Sequence, residues 1–258
     1  MSAVRPFLVF VLALAAGYGA LAWFDLVPGG WRLRTFVVPQ AVRSSRQRYH
    51  HRQGRLARFG AEQAPQGALV FLGSSTIERF DLVAHFPGIR TLNRGIGDED
   101  LALLRSRLEL SLPPDPAGAV LYAGSIDFRR YGQAPELLAG RVAELLAELR
   151  ELRPGLPVTL LGLLPEVDFS PEQVASLVET NAALAQAAAG AGATFVATAR
   201  PPVVLENGAL NPAFAADRLH LSGAGYKHLA SWLVETSSLG DGLGAKPGDS
   251  GNSQGDQR

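Results

Sequence analysis

Five short, mostly apolar segments alternate with helical segments between residues 68 and 236. Most of these segments are unbroken apolar runs, which is typical of strands covered on both faces. Strands that alternate with helices build a parallel sheet with helices on both faces. We therefore predict an α/β fold, a three-layer α/β/α sandwich, whose five-stranded parallel sheet consists of Ala68–Leu72, Arg90–Asn93, Ala119–Tyr122, Val158–Leu163 and Thr194–Ala197.

The segments between and after these strands have the patterns of helices. In the second of them, leucine and valine recur with a helical period, which predicts a face buried against the sheet. The predicted helices are Asp100–Leu110, Pro135–Leu152, Pro171–Ala189 and Ser222–Val234. Together with the strands they place one domain at residues 67–236, and the Gly-, Ser- and Asp-rich residues 237–258 are expected to be disordered.

An uncharged apolar run, Phe7–Phe24, lies near the N-terminus. At about 1.5 Å per residue it is just long enough to cross a hydrocarbon core of about 30 Å. Residues 1–25 are therefore predicted to be a transmembrane anchor that precedes the domain, with Trp23 and Trp31 at the membrane interface. A cleaved signal peptide is the alternative, because Ala20–Ala22 forms a small-x-small cleavage site.

Residues 26–66 form a strongly basic connector, with no acidic residue between Asp25 and Glu62. A basic segment beside a membrane span would bind anionic headgroups, with each charge contributing about 1 kcal/mol. The alternative is a solvated connector helix. Positive charge tends to stay in the cytoplasm, whereas an isolated N-terminal signal before a domain favours export. We expect export and leave the side of the membrane open.

Composition excludes several function classes. The 24 basic and 24 acidic side chains balance, which argues against a nucleic-acid partner. The absence of cysteine removes disulfides and thiolate chemistry.

Gly95-Ile96-Gly97 lacks the third glycine of a dinucleotide fingerprint, so no cofactor is predicted. Asp98–Asp100 has the composition of a metal site, but acids near a helix start more often stabilise its N-terminus, so no metal is predicted.

A serine stands where the first predicted strand turns into a helix. Ligands and reactive groups in parallel α/β folds collect beyond the carboxyl ends of the strands. Ser75 follows the strand and the small residues Gly73 and Ser74, so it is a candidate nucleophile. Serine is also a preferred helix N-cap, so a capping role is the alternative.

Only one of the five histidines has a carboxylate at Asp-x-x-His spacing in a loop that opens a helix. A nucleophilic serine needs a general base, and the imidazole needs an anion that fixes its tautomer. His220 and Asp217 supply both groups. A turn-capping Asp217 beside a surface histidine is the alternative interpretation.

These motifs resemble the SGNH (GDSL-like) hydrolases, in particular esterases with Gly-Ser-Ser in place of Gly-Asp-Ser. The resemblance runs from about Gly67 to Trp232 and implies a flavodoxin-like SGNH hydrolase fold. It also implies acyl-ester hydrolysis by Ser75, His220 and Asp217, with an acyl-ester substrate whose lipid or glycan class is open. The similar blocks are Phe71–Ser75, Leu92–Asp98, Leu121–Asp127 and Asp217–Leu221.

In that family the oxyanion is stabilised by the backbone N–H of the nucleophile, a glycine N–H in the second block and an asparagine side chain in the third. The second block of this chain has Asp98 after Gly97, and the third has Ile126 after Ser125. Ile126 cannot donate from its side chain, whereas the Ser125 hydroxyl is a candidate substitute. An aspartate tolerates the left-handed backbone of a glycine position better than most residues.

The altered oxyanion positions leave two functions open. The first is a membrane-associated serine esterase with a weakened oxyanion hole, because loss of one donor lowers the rate about a hundred- to a thousandfold. The second is a degenerate hydrolase fold that serves as a binding or scaffolding module.

Overall fold

The structure, a computed structural model, describes residues 40–236. Of these, residues 40–55 belong to one compact unit and 56–236 to another. The predicted anchor at 1–25, residues 26–39 of the connector and the predicted disordered tail at 237–258 lie outside the described residues. Among the described helices, none has both the length and the apolar character to cross a membrane.

The strands are β1 (Leu69–Gly73), β2 (Thr91–Gly95), β3 (Gly118–Tyr122), β4 (Val158–Leu161) and β5 (Thr194–Val196). The helices are α1 (Gln40–Ala61), α2 (Ser75–Glu78), α3 (Leu82–His85), α4 (Leu101–Arg105), α5 (Leu108–Ser111), α6 (Ser125–Tyr131), α7 (Pro135–Leu152), α8 (Pro171–Gly190) and α9 (Gly223–Thr236), with a 3-10 turn at Pro212–Phe214.

All five strands are parallel, in the order β2-β1-β3-β4-β5. This confirms the predicted five-stranded parallel sheet. β1, β3 and β4 are completely buried, as their apolar runs predict. The sheet order reverses direction beside β1, and such a point in an open sheet is where ligands bind.

Helices cover the sheet in two layers. The long helices α7 and α8 pack against each other, and α4 packs on α7. Helix α9 packs against β5 and α3. The apolar face of α7 is buried as predicted, through Leu138, Val142, Leu145, Leu146 and Leu149. The three-layer α/β/α arrangement is therefore the one expected from the sequence.

The predicted helix Asp100–Leu110 is wrong as a single element, because the structure has two short helices there. Arg107 separates them, with φ −129° and ψ 12°. Its guanidinium is buried and donates to Glu99 Oε2 at 2.6 Å, to Ser111 Oγ at 2.8 Å and to Gly73 O at 3.3 Å. The helical period of the sequence could not reveal this interior ion pair.

The strand boundaries also differ from the prediction, most of all at the C-terminal ends of β2 and β4. β2 extends to Gly95, because Arg94 and Gly95 pair with Leu72 and Gly73 of β1. β4 ends at Leu161 rather than Leu163. The Asn181 side chain binds both backbone groups of Leu163, accepting its N–H at 2.7 Å and donating to its carbonyl at 2.9 Å. A side chain thus replaces the neighbouring strand there.

Two residues assigned to the connector contact the sheet domain. Phe59 is 4% exposed, and the Arg94 guanidinium lies 4.6 Å from its ring centroid. Glu62 forms an ion pair with the buried Arg94 of β2. The compact unit that contains the sheet therefore begins before Gly67.

Candidate functional site

Ser75 is the first residue of α2, immediately beyond the end of β1. Gly73 makes this turn feasible, because at φ 154° a Cβ there would lie 2.4 Å from the carbonyl oxygen of Tyr122. Ser74, not Ser75, occupies the N-cap position, and it makes no side-chain capping bond. The geometry therefore does not support the capping interpretation of Ser75.

His220 lies between Ser75 and Asp217. Its Nε2 is 3.0 Å from Ser75 Oγ, and its Nδ1 is 2.8 Å from Asp217 Oδ2. These distances lie within hydrogen-bond reach of a nucleophile, a base and its orienting carboxylate. The structure thus brings together the three predicted side chains from opposite ends of the domain.

The Asp217–His220 turn also fixes the carboxylate. Asp217 Oδ1 accepts the backbone N–H of Leu219 at 2.9 Å and that of His220 at 2.8 Å. Partial burial raises the pKa of Asp217, but these two N–H donors and the His220 ring lower it by more, so its pKa lies well below the usual range. Asp217 caps its turn and orients the imidazole at the same time, so the two interpretations of this residue are compatible.

Arg79 is a site residue that sequence reasoning missed. Its guanidinium donates to Asp217 Oδ2 at 3.1 Å, so the helix that carries Ser75 also holds the carboxylate partner of His220. Tyr226 connects α9 to the same short helix, because its hydroxyl donates to the Thr76 carbonyl at 2.7 Å. The signal for Arg79 was its position four residues after Ser75, on the same helical face.

The loop after β2 brings Gly97 against the nucleophile. A Cβ on Gly97 would lie 3.7 Å from Ser75 Cβ and 3.0 Å from Glu78 Oε2. The Gly97 N–H donates to that same Glu78 oxygen at 2.6 Å. The Glu78 carboxylate thus accepts the hydrogen of a backbone N–H group that lies beside Ser75. Sequence reasoning missed Glu78, although it stands three residues after Ser75 and so shares a helical face with it.

Asp98 adopts the left-handed conformation expected at a glycine position, with φ 64°. Its carboxylate pairs with Arg130 on α6 at 2.9 Å, with both side chains about half-exposed. This ion pair offsets the negative charge that Asp98 brings to the site. The backbone N–H of Asp98 is therefore a candidate oxyanion donor, alongside that of Ser75, which the first turn of α2 does not use.

The third block contributes Ser125 and Ile126 at the start of α6. Ser125 is buried, and its Oγ lies 3.1 Å from Ser74 Oγ, next to the nucleophile. Ile126 is also buried, and its side chain has no hydrogen-bond donor. Burial raises the pKa of the neighbouring Asp127. Its carboxylate accepts the Leu101 N–H at 2.9 Å and so connects the third block to the start of α4.

The acidic run Asp98–Asp100 does not gather around a common point. Asp98 pairs with Arg130, and Glu99 pairs with Arg107. Asp100 caps α4 by accepting the Leu103 N–H at 2.9 Å, which is the helix-start role expected of it. Within residues 40–236, no group of three or more His, Asp or Glu side chains is placed to hold a metal ion.

The parallel sandwich and the Ser–His–Asp arrangement at its switch point are typical of an α/β protein of the hydrolase class. Residues 73–228, more than half of the chain, match the model of the GDSL-like lipase/acylhydrolase family. The chain therefore belongs to this family, as its motifs predicted.

Solved structures share the fold at low sequence identity. A protein from Streptococcus pneumoniae, provisionally described as a platelet activating factor, is 20% identical with a TM-score of 0.68 over 76% of this chain and 97% of its own. A GDSL-like lipase from Bacteroides thetaiotaomicron is 23% identical with a TM-score of 0.58, over 71% and 95%. An acetyl xylan esterase from Geobacillus stearothermophilus is 22% identical with a TM-score of 0.51, over 66% and 93%. No curated protein sequence matches the chain.

Proposed function

We propose that this protein is a carboxylic-ester hydrolase in which Ser75 is the nucleophile, His220 the general base and Asp217 the orienting carboxylate. The observation that carries the proposal is the continuous hydrogen-bonded series from Ser75 Oγ through both imidazole nitrogens to Asp217. Membership of an acylhydrolase family supports the same reaction class.

The chemistry follows from this series. His220 Nε2 accepts the Ser75 proton as Oγ attacks the ester carbonyl, and it later returns that proton to the leaving alcohol. Asp217 stabilises the imidazolium, and its low pKa keeps it anionic at neutral pH. A water then hydrolyses the acyl-enzyme by the same route, which releases the acid and regenerates Ser75.

The oxyanion hole in this proposal is built from backbone donors, the N–H groups of Ser75 and Asp98. The asparagine of the family has no counterpart, because Ile126 is buried and apolar. The Ser125 hydroxyl stands beside Ser74 and is the nearest side-chain substitute. Loss of one donor lowers the rate about a hundred- to a thousandfold, so we expect an enzyme that is slow on generic esters.

A second function has specific support. Ile126 in place of a donor, together with the Gly97 N–H engaged by Glu78, is what a fold retained for binding alone would tolerate. Such a module would bind acylated ligands without turnover. The two functions differ in whether His220 activates the Ser75 hydroxyl.

A fluorophosphonate probe tests that difference, because it phosphonylates only a serine activated by a base. We expect labelling of the wild-type protein at Ser75 and loss of labelling in Ser75→Ala and His220→Ala. Ser231→Ala, on the exposed surface of α9, is the matched control and should label normally. Absence of label on folded wild-type protein would favour the binding module.

We further propose that the hydrolase is membrane-associated and exported, held by residues 1–25 as a single-pass anchor. The support is the apolar run Phe7–Phe24 with Trp23 at its end and Trp31 after it. The basic connector adds affinity for anionic headgroups. A cleaved signal peptide at Ala20–Ala22 remains the competing hypothesis.

A further inference from the structure

A cavity of about 420 Å³ opens between α6, the loop after β4 and the start of α8. We propose that this cavity binds the alcohol portion of the ester, and that this alcohol is an uncharged saccharide. The inference rests on the proposed esterase function and names the substrate class of that site. The walls of the cavity, which we call the α6–α8 pocket, include Phe128, Arg129, Glu166, Asp168, Phe169 and Arg218.

Two lining residues of the α6–α8 pocket are linked to the candidate catalytic residues. Arg218 directly follows Asp217 in the chain. On the other wall, Arg129 Nε donates to the Ser125 carbonyl at 3.1 Å, and Ser125 Oγ is hydrogen-bonded to Ser74, the neighbour of the nucleophile. A ligand in the pocket would thus contact Arg218 of the base loop, and it would contact Arg129, which is linked to the nucleophile turn through Ser125.

The charges in the pocket balance. Buried Glu166 pairs with Arg129 at 3.4 Å and with Arg218 at 2.9 Å, and Arg218 also pairs with Asp168 at 3.2 Å. Two guanidinium groups therefore face two carboxylates, which leaves no net charge to attract an anion or a cation. Their outer N–H groups and lone pairs still form hydrogen bonds, in both donor and acceptor sense.

Such a wall suits hydroxyl groups and disfavours an acyl chain. A hydroxyl can donate to a carboxylate and accept from a guanidinium, so a polyol replaces the water that it displaces. An alkyl chain would desolvate the same charged groups without offering a hydrogen bond, which is unfavourable. The polarity of this cavity therefore argues against a long fatty acyl group as its occupant.

The remaining walls complete a saccharide site. The rings of Phe128 and Phe169 lie 6.3 Å apart at 48°, and both are part-exposed in the pocket. They offer an apolar face to the C–H groups of a sugar ring. The volume lies within the range of about 300–1,000 Å³ that small-molecule sites occupy.

Ser176 of α8 also lines the pocket, and its replacement by a large side chain fills the space without touching the Ser75–His220 pair. The binding test uses the full chain carrying Ser75→Ala, titrated calorimetrically with an acetylated xylo-oligosaccharide. We expect Ser176→Phe to weaken binding at least tenfold. Ser231→Phe, an exposed serine on α9, is the matched control and should bind normally.

A second variant tests the proposal even if Ser176→Phe fails to fold. Arg218→Leu changes a side chain that is 67% exposed, so the fold should persist. We expect it to lower kcat/KM for the saccharide ester relative to that for p-nitrophenyl octanoate by at least tenfold. Equal saccharide binding by the Ser75→Ala chain with and without Ser176→Phe, or no saccharide binding at all, would overturn the proposal.

The outcomes separate this proposal from the proposed function. If Ser75 labels with fluorophosphonate but Ser176→Phe slows only the octanoyl ester, the protein is an esterase and the pocket holds the acyl chain, which overturns the saccharide assignment. If Ser75 fails to label and the saccharide still binds in a Ser176-dependent way, the esterase proposal is wrong and the saccharide site stands.

Discussion

At the scale of single residues, Glu78 lies three positions after the nucleophile, in the same short helix. Its carboxylate accepts the Gly97 N–H at 2.6 Å, and so it holds the loop that carries the left-handed Asp98. The same carboxylate brings negative charge towards the point where the oxyanion would form. Glu78 therefore supports the oxyanion loop through its hydrogen bond and opposes the oxyanion through its charge.

Two substitutions of Glu78 separate these effects. Glu78→Gln keeps an acceptor for Gly97 but removes the charge, so we expect kcat for p-nitrophenyl acetate to rise about tenfold, or about 1.4 kcal/mol of barrier. Glu78→Ala removes the acceptor as well, so we expect kcat to fall about tenfold and the melting temperature to drop. Equal rates in the two variants would contradict a role for Glu78 in holding the loop.

Asp217 makes stability depend on pH. Its pKa in the folded protein is depressed below the unfolded value of about 3.9, so its ionised form stabilises the fold above that pH. This contribution is lost as the pH falls towards the folded pKa. We expect the difference in free energy of unfolding between wild type and Asp217→Asn to be constant above about pH 5 and to shrink below about pH 4. Urea denaturation from pH 2.5 to 7 measures it, and a pH-independent difference would refute the assignment.

At the scale of elements, the buried ion pair between Glu99 and Arg107 shapes the segment after the second block. Both side chains are 1% exposed, and Arg107 additionally binds the carbonyl of Gly73 in the nucleophile turn. The pair thus joins α4, α5 and the end of β1. This ion pair also explains why the structure has two short helices where the sequence predicted one.

Breaking this pair should be strongly destabilising. Glu99→Ala leaves the Arg107 guanidinium buried without its carboxylate, for which we expect a loss of about 3–5 kcal/mol in the free energy of unfolding. Glu109→Ala, at an exposed position on α5, is the matched control and should change stability by less than about 0.5 kcal/mol. Denaturant unfolding followed by circular dichroism gives both values. A loss at Glu99 no larger than the control would mean that Arg107 finds solvent or another partner.

At the scale of the whole molecule, the proposed N-terminal anchor would determine where the domain works. If Phe7–Phe24 is an uncleaved anchor, the protein should remain with membranes after an alkaline, high-salt wash, and deletion of residues 1–25 should release it. The wash removes proteins held only by the basic connector, because salt screens surface charge. Recovery of a mature chain that starts at Trp23 would establish a cleaved signal instead.

Most of the sheet and the identity of the triad could be predicted because each depends on local pattern. Unbroken apolar runs specify strands buried on both faces, and the helical period of α7 specifies its buried face. Ser75, Asp217 and His220 stand in short motifs whose residue types already match nucleophilic chemistry. Local sequence therefore determined the parallel α/β fold, its family and the candidate triad.

Only the tertiary structure decided how the loops meet. The Gly97 N–H binds Glu78, Asp98 turns towards Arg130, and Arg79 reaches Asp217 across the site. The last two pairs join residues that are 32 and 138 positions apart, so no local period encodes them. The α6–α8 pocket likewise depends on Glu166 binding two arginines, one in α6 and one in the Asp217–His220 turn. Charge pairing acts through space at a few ångströms, and only the folded chain sets which charges come that close.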